Sequence, residues 1–171
     1  MAAITDLTTL SAADIVAGDW IPVHDLSVST DKKAAVSSVR GYSDTWTPSL
    51  AFAGSTTGIT YTNRWGIYTT NGLVVTIAAL LYLSNKGSFS AGDASKIFGL
   101  PANVRSGYAG IVQVQWFSMT SSYVTMSGLI SGTDGSIELY GATAAAASLS
   151  AVAYSGFANA SLLYVAGTYL V

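Results

Sequence analysis

The chain has 171 residues, of which 50% are apolar and only 9% charged, with a formal net charge of −2 and a pI near 5.0. An ordinary soluble domain carries about 25% charged residues, and the slightly acidic balance gives no basic footprint for nucleic acid. Cysteine is absent, which excludes disulfides, thiolate zinc sites and thiol catalysis together.

The charges are unevenly placed. Those from Asp6 to Asp44 all precede Trp46, and only Arg64, Lys86, Asp93, Lys96, Arg105, Asp134 and Glu138 follow it. Residues 1–40 therefore read as a separate N-terminal leader. Ser11-Ala-Ala-Asp14 has capping-box spacing for one helical turn that Gly18 stops. Trp20 to His24 is a short strand in which Pro22 marks an edge. Asp31 to Ala35 is a second strand, and Val36 to Arg40 a further helical turn. Some forty residues are too few to fold without a partner surface, so the leader is expected to dock. Its candidate docking residues are Asp19, Trp20, His24, Asp25, Lys32 and Lys33, where it keeps its polar groups. The N-terminus lacks the basic and apolar regions of a signal peptide.

From Trp46 onward, short strands alternate with Gly, Asn, Asp and Ser turns. The expected strands are Trp46–Ala53, Gly58–Trp65, Ile67–Thr70, Leu73–Leu83, Ala94–Phe98, Gly110–Phe117, Tyr123–Ile130, Ser136–Tyr140 and Ser161–Val171. Asn71-Gly72 signals a type I′ hairpin turn, and Thr133-Asp134-Gly135 another hairpin. Alternation puts Val112, Val114 and Trp116 inward and Gln113 and Gln115 outward. Val124 and Met126 likewise oppose Tyr123 and Thr125, and Ile137 and Leu139 flank Glu138. The segment from Leu73 to Leu83 is apolar on both parities, so it is expected to be covered on both faces, either by a second sheet and a neighbouring subunit or by a very thick core. This nominates Leu73, Val75, Ile77, Leu80 and Tyr82 for a subunit interface. The Ala144–Ala147 run reads as a loop or single turn. Polar residues interrupt the apolar tail from Ala142 to Val171, and its uninterrupted runs fall short of the ~18 residues of a membrane span.

Nine strands and no long helix predict an all-β fold for residues 41–171, an antiparallel two-sheet sandwich of jelly-roll type. Trp46-Thr-Pro-Ser-Leu50, Gly54-Ser-Thr-Thr-Gly-Ile-Thr-Tyr61, Gly66-Ile-Tyr68, Asn71-Gly-Leu-Val-Val75, Lys86-Gly87 and Phe98-Gly-Leu-Pro101 follow one another in an order that resembles a β-rich module of tailed-phage fibre and head-appendage proteins. Leu10-Ser-Ala-Ala-Asp14, Asp19-Trp-Ile-Pro-Val23 and Ser29-Thr-Asp-Lys-Lys33 resemble the short leader of such proteins. The resemblance covers most of the chain and rests on turn glycines and strand residues. It implies a homotrimeric virion component with a jelly-roll knob.

Nothing in the sequence assembles a catalytic site. His24 is the only histidine and lies far from any nucleophile elbow, and without cysteine it makes no ordinary transition-metal site. Asp93 and Asp134 stand in turns, and Glu138 on the polar parity of a strand, rather than as a hydrolytic pair. No enzymatic activity, cofactor or metal is expected. Tyr61, Trp65, Tyr68, Tyr108, Trp116, Tyr123, Tyr140, Tyr154 and Phe157 supply rings for sugar stacking, but their spacing does not align them on one outward row, which favours core or subunit-interface positions. Asn159-Ala-Ser161 matches a glycosylation acceptor only formally.

The expected role is that of a trimeric capsid decoration (cement) protein that docks on the major capsid protein and stabilises the shell. Only Gly41 to Thr45 separate leader from sandwich, which leaves no room for a fibre shaft. The alternative is a tail fibre knob that recognises a host surface glycan. Either role places the protein in the virion after synthesis in the host cytoplasm, with neither nucleic acid nor membrane as partner.

Overall fold

The computed structural model describes residues 20–25, 30–35, 42–104 and 110–171, the first two stretches and Tyr42 as backbone. The chain divides into two compact units, Met1–Tyr42 and Ser43–Val171. In the first, strand β1 (Trp20–Asp25) pairs antiparallel with β2 (Thr30–Ala35). The register sets Trp20 against Ala35, Pro22 against Lys33, Val23 against Lys32 and His24 against Asp31. Both strands stand where the sequence puts them. Asp19 and the two expected helical turns lie outside the described residues.

The second unit is built from β3 (Tyr42–Trp46), β4 (Ser49–Phe52), β5 (Ile59–Asn71), β6 (Val74–Lys86), β7 (Ser95–Phe98), β8 (Gly110–Phe117), β9 (Thr125–Ile130), β10 (Ile137–Ala142), β11 (Ser150–Ala151) and β12 (Leu162–Leu170), with a 3₁₀ turn at Tyr154–Gly156. It is all-β and antiparallel, but the strands lie in one continuous sheet rather than two. The order is β3-β5-β6-β12-β8-β9-β10-β7-β4, with β11 beside β10. The sheet curls into a half-barrel, so its own far strands cover the inner face that a second sheet would otherwise have to cover.

The longest ladder is the β5–β6 hairpin. Asn71 pairs with Val74, leaving Gly72 and Leu73 as the turn. Of these only Gly72 has positive φ, at 62°, which is the pattern of a type II′ turn rather than the expected I′. The expected strands Gly58–Trp65 and Ile67–Thr70 are one, because β5 runs straight through Gly66. Its missing side chain is a packing requirement, because the Trp46 indole occupies the space of a Cβ. The indole N–H donates to the Ile67 carbonyl at 3.2 Å. Pro48, which has no N–H to donate, separates β3 from β4. These two consecutive strands stand at opposite ends of the sheet order.

Side chains of β5 span the opening. An irregularity around Thr62 shifts the register, after which Arg64 donates to the Ser49 hydroxyl at 2.9 Å and lies 4.4 Å over the Tyr61 ring. The Tyr61 hydroxyl accepts from the Leu50 amide of β4 at 2.8 Å. Burial raises the Tyr61 pKa against the opposing pull of that amide and Arg64, which keeps the phenol neutral.

One core fills the curl. It takes Leu50, Phe52, Val75, Ile77, Leu81, Ile97, Val112, Ile130, Ile137, Leu139, Leu163 and Val165, each essentially inaccessible to solvent. At one end, Phe52 stacks edge-on against Tyr154 and Phe157, with centroids 5.1 and 5.0 Å apart. Lys86 holds that end in place by donating to the Phe157 carbonyl at 2.6 Å while lying 4.0 Å from the Tyr154 ring centroid. Inward Val112 and Val114, and Ile137 and Leu139 around Glu138, follow the alternation read from sequence. Val124 does not, because β9 begins only at Thr125 and leaves it exposed.

The expectation for Leu73 to Leu83 needs correction. Val75, Ile77, Ala79, Leu81 and Leu83 form the inner row and are buried by the same chain. Val75 and Ile77, nominated for a subunit interface, therefore have no surface left to offer. Of the outer row, Val74 and Thr76 are exposed, Ala78 and Tyr82 half-buried and Leu80 buried, while Leu73 is 62% exposed in the turn. The apolar tail folds as β11, the 3₁₀ turn and β12, and among the described residues no helix is long and apolar enough to cross a membrane.

Candidate functional site

The register of β5, β6, β12 and β8 builds the outer face row by row. Trp65 pairs with Leu80, Leu80 with Tyr164, and Tyr164 with Gln115. One step along the strands, Ile67, Ala78, Ala166 and Gln113 line up in the same way. Parity puts all eight on the convex side. Leu80, in the middle of the first row, is only 8% exposed, while Trp65 and Tyr164 on either side are 42% and 40% exposed. The rings thus flank the leucine and stand up as walls.

Beside them the paired alanines leave a depression of about 220 Å³, lined by Trp65, Ala78, Gln113, Gln115, Tyr164 and Ala166 together with the backbone beneath. No lining residue is charged. Tyr164 is braced by an edge-on contact with Phe117, the centroids being 6.4 Å apart. The Trp65 indole N–H, the Tyr164 hydroxyl and the amides of Gln113 and Gln115 have no hydrogen-bond partner among the described residues. The trough thus combines apolar walls and floor with four unengaged polar groups, which is the composition of a small-molecule site.

The charged groups among the described residues of the unit are engaged away from the trough. On the outer face of β7 and β10, Lys96 donates to Asp134 at 2.7 Å and to Glu138 at 2.8 Å, and the Tyr140 hydroxyl donates to Glu138 at 2.9 Å. Partial burial pushes the Asp134 carboxyl up, but hydrogen bonds from Lys96, Ser136 and Ser131 outweigh it and hold the group at about 2. The Lys96 and Tyr140 hydrogen bonds likewise lower Glu138. Hydrogen bonding to Asp134 and Glu138 raises Lys96, and hydrogen bonding to Glu138 raises Tyr140. Two ionised carboxylates sharing one ammonium have no proton to give, so the cluster is suited to holding strands together. Asp93 accepts from the Ser90 amide at 2.9 Å and serves its own turn. Among the described residues, no group of three His, Asp or Glu side chains converges as a metal site. Asn159 accepts from the Lys86 amide at 3.2 Å.

Of the rings considered for sugar stacking, Phe157 is core, and Tyr61, Tyr68, Trp116, Tyr123 and Tyr154 pack against it. Tyr140 belongs to the Lys96 cluster, and Tyr108 lies outside the described residues. Trp65 alone reaches the trough, where it meets Tyr164, a ring that sequence reasoning missed. The missing signal is the strand order, since nothing within Leu162–Leu170 announces that this strand pairs with β6 and β8. Of the nominated docking residues, Trp20, His24, Asp25, Lys32 and Lys33 stand on the β1–β2 hairpin.

No protein-family model matches the chain, and no curated protein matches it. Among solved structures, the fold is similar to that of the Dettilon tailspike protein (gp208), with a TM-score of 0.61 and 16% sequence identity over 75% of this chain. The chain spans 23% of the length of that tailspike. At this identity the likeness establishes a shared all-β fold.

Proposed function

We propose that the protein is a structural component of a tailed-phage virion, an appendage of the tail type whose curled sheet meets the host surface. The observation that carries this reading is the fold shared with a phage tailspike over most of the chain. The outer face of β5, β6, β12 and β8 gives it physical content, because contact with an external partner needs a surface that the subunit has not already used. The protein is a homotrimer in this reading, with the N-terminal unit as the attachment segment.

Capsid decoration is the second reading, favoured by the separate N-terminal unit with its own hairpin. It has the leader dock on the major capsid protein while the sheet unit projects from the shell. Copy number and location separate the two. Gold-labelled antibody against the sheet unit, applied to intact particles, is expected to mark the tail at low copy number. Label spread over the shell, matched by a strong band on a stained gel of purified particles, overturns the tail reading in favour of decoration. Absence from both places overturns the virion reading itself.

A further inference from the structure

We propose that the trough between Trp65 and Tyr164 is a binding site for a neutral saccharide. This rests on the host-surface reading above and names its ligand class. Three strand spacings separate Trp65 on β5 from the glutamines on β8, about 14 Å at the usual inter-strand distance, so the trough accommodates a run of sugar rings rather than a single one.

The chemistry follows from what the walls present. A pyranose offers apolar C–H faces, which pack on aromatic ring faces, and equatorial hydroxyls, which need hydrogen-bond partners. Trp65 and Tyr164 supply the first and the amides of Gln113 and Gln115 the second, each amide both donating and accepting. The floor at Ala78 and Ala166 is low because these residues carry only a methyl group, which lets a sugar ring settle against the Trp65 and Tyr164 rings beside it. With no charged residue in the lining, nothing compensates the desolvation of a carboxylate or sulfate, so the ligand is uncharged.

The other occupant of an apolar sheet face is a second copy of the chain, and the polar groups argue against it. A dry subunit interface would have to find a partner on the second copy for two amides, an indole N–H and a phenol at once, each group left without one costing about 1–3 kcal/mol. A hydroxyl-rich ligand supplies those partners.

The test uses the full-length protein with maltohexaose, mannohexaose and a galactan hexamer as neutral probes, and hexagalacturonate as the acidic control, read by saturation-transfer NMR and titration calorimetry. At least one neutral hexamer is expected to bind, with transfer concentrated on C–H protons, and the acidic one not to bind. Trp65→Ala and Tyr164→Ala are expected to abolish binding, and Gln113→Ala to weaken it about tenfold. Each variant is checked for an unchanged unfolding midpoint. Binding by none of the neutral probes, equal binding of hexagalacturonate, or neutral binding indifferent to Trp65 and Tyr164 overturns the proposal. So does a change of sedimentation coefficient in Trp65→Ala, which would make the face a subunit interface. Saccharide binding by a protein absent from particles keeps this inference and discards the virion reading, whereas a tail-located protein with an inert trough does the reverse.

Discussion

The outer face of the sheet differs from one half to the other. Across β7 and β10 the polar groups satisfy one another, with Lys96 held between Asp134 and Glu138, and Tyr140 on the far carboxylate oxygen. Across β5, β6, β12 and β8 the same curled sheet, over the same core, presents rings, alanines and four unengaged polar groups. The inner surfaces of the two halves are alike, dominated by buried aliphatic and aromatic side chains. Mutual contacts therefore account for the inside and for the ion-pair half, while the polar groups of the ring-bearing half have no partner among the described residues.

The comparison breaks most severely from the inside. Phe52→Ala removes a fully buried ring that touches Phe89, Tyr154 and Phe157 and is expected to cost about 3–5 kcal/mol in denaturant unfolding. A loss below about 1 kcal/mol would show that the two halves do not share one core. Gly66→Ala forces a methyl group into the Trp46 indole and is expected to cost about 1–3 kcal/mol, with a shift in tryptophan emission as the indole moves.

On the ion-pair half the effect is smaller. Lys96→Met is expected to cost about 1 kcal/mol or less, since the pairs are partly exposed, and to change the acid limb of the stability profile. Asp134 sits at about 2 in the folded chain, below the roughly 3.9 of an unfolded aspartate. Its contribution is thus fully present above that unfolded value and disappears as pH falls through about 2. Unfolding midpoints measured from neutral pH downward are expected to drop steeply in the parent and more gently in Lys96→Met. Equal slopes would remove the cluster from the account of stability.

The smallest effect on stability belongs to the ring-bearing half. Trp65→Ala is expected to change unfolding free energy by no more than about 0.5 kcal/mol, as for surface positions without a structural task. A larger loss would mean that the indole shields Leu80 for folding's sake, and the two halves would then be equivalent.

Much of the frame was legible in single strands. Val112 and Val114 alternate with Gln113 and Gln115, Ile137 and Leu139 with Glu138, and the turn glycines mark the hairpins, because period-two alternation is a local property. Partnership between strands is not local. A run of strands and turns reads the same whether the sheet divides in two or curls as one, and here the consecutive strands β3 and β4 stand at opposite ends of the order. The apolar outer parity of β6 suggested a subunit contact, but Leu80 is covered because β5 and β12 bring Trp65 and Tyr164 alongside it. Those two rings lie 99 positions apart in the chain, and only the register brings them to one trough.

The short strand β4 has a rim as well as a ladder. Its amides alternate in direction, and the two that turn away from β7 are both taken, Leu50 by the Tyr61 phenol at 2.8 Å and Phe52 by the Ser55 carbonyl at 2.9 Å. A rim with open amides is a template on which stray chains add strand by strand into fibrils. In a chain with so little charge to keep copies apart, a single tyrosine hydroxyl and one tight turn thus act as the guard against aggregation at this border.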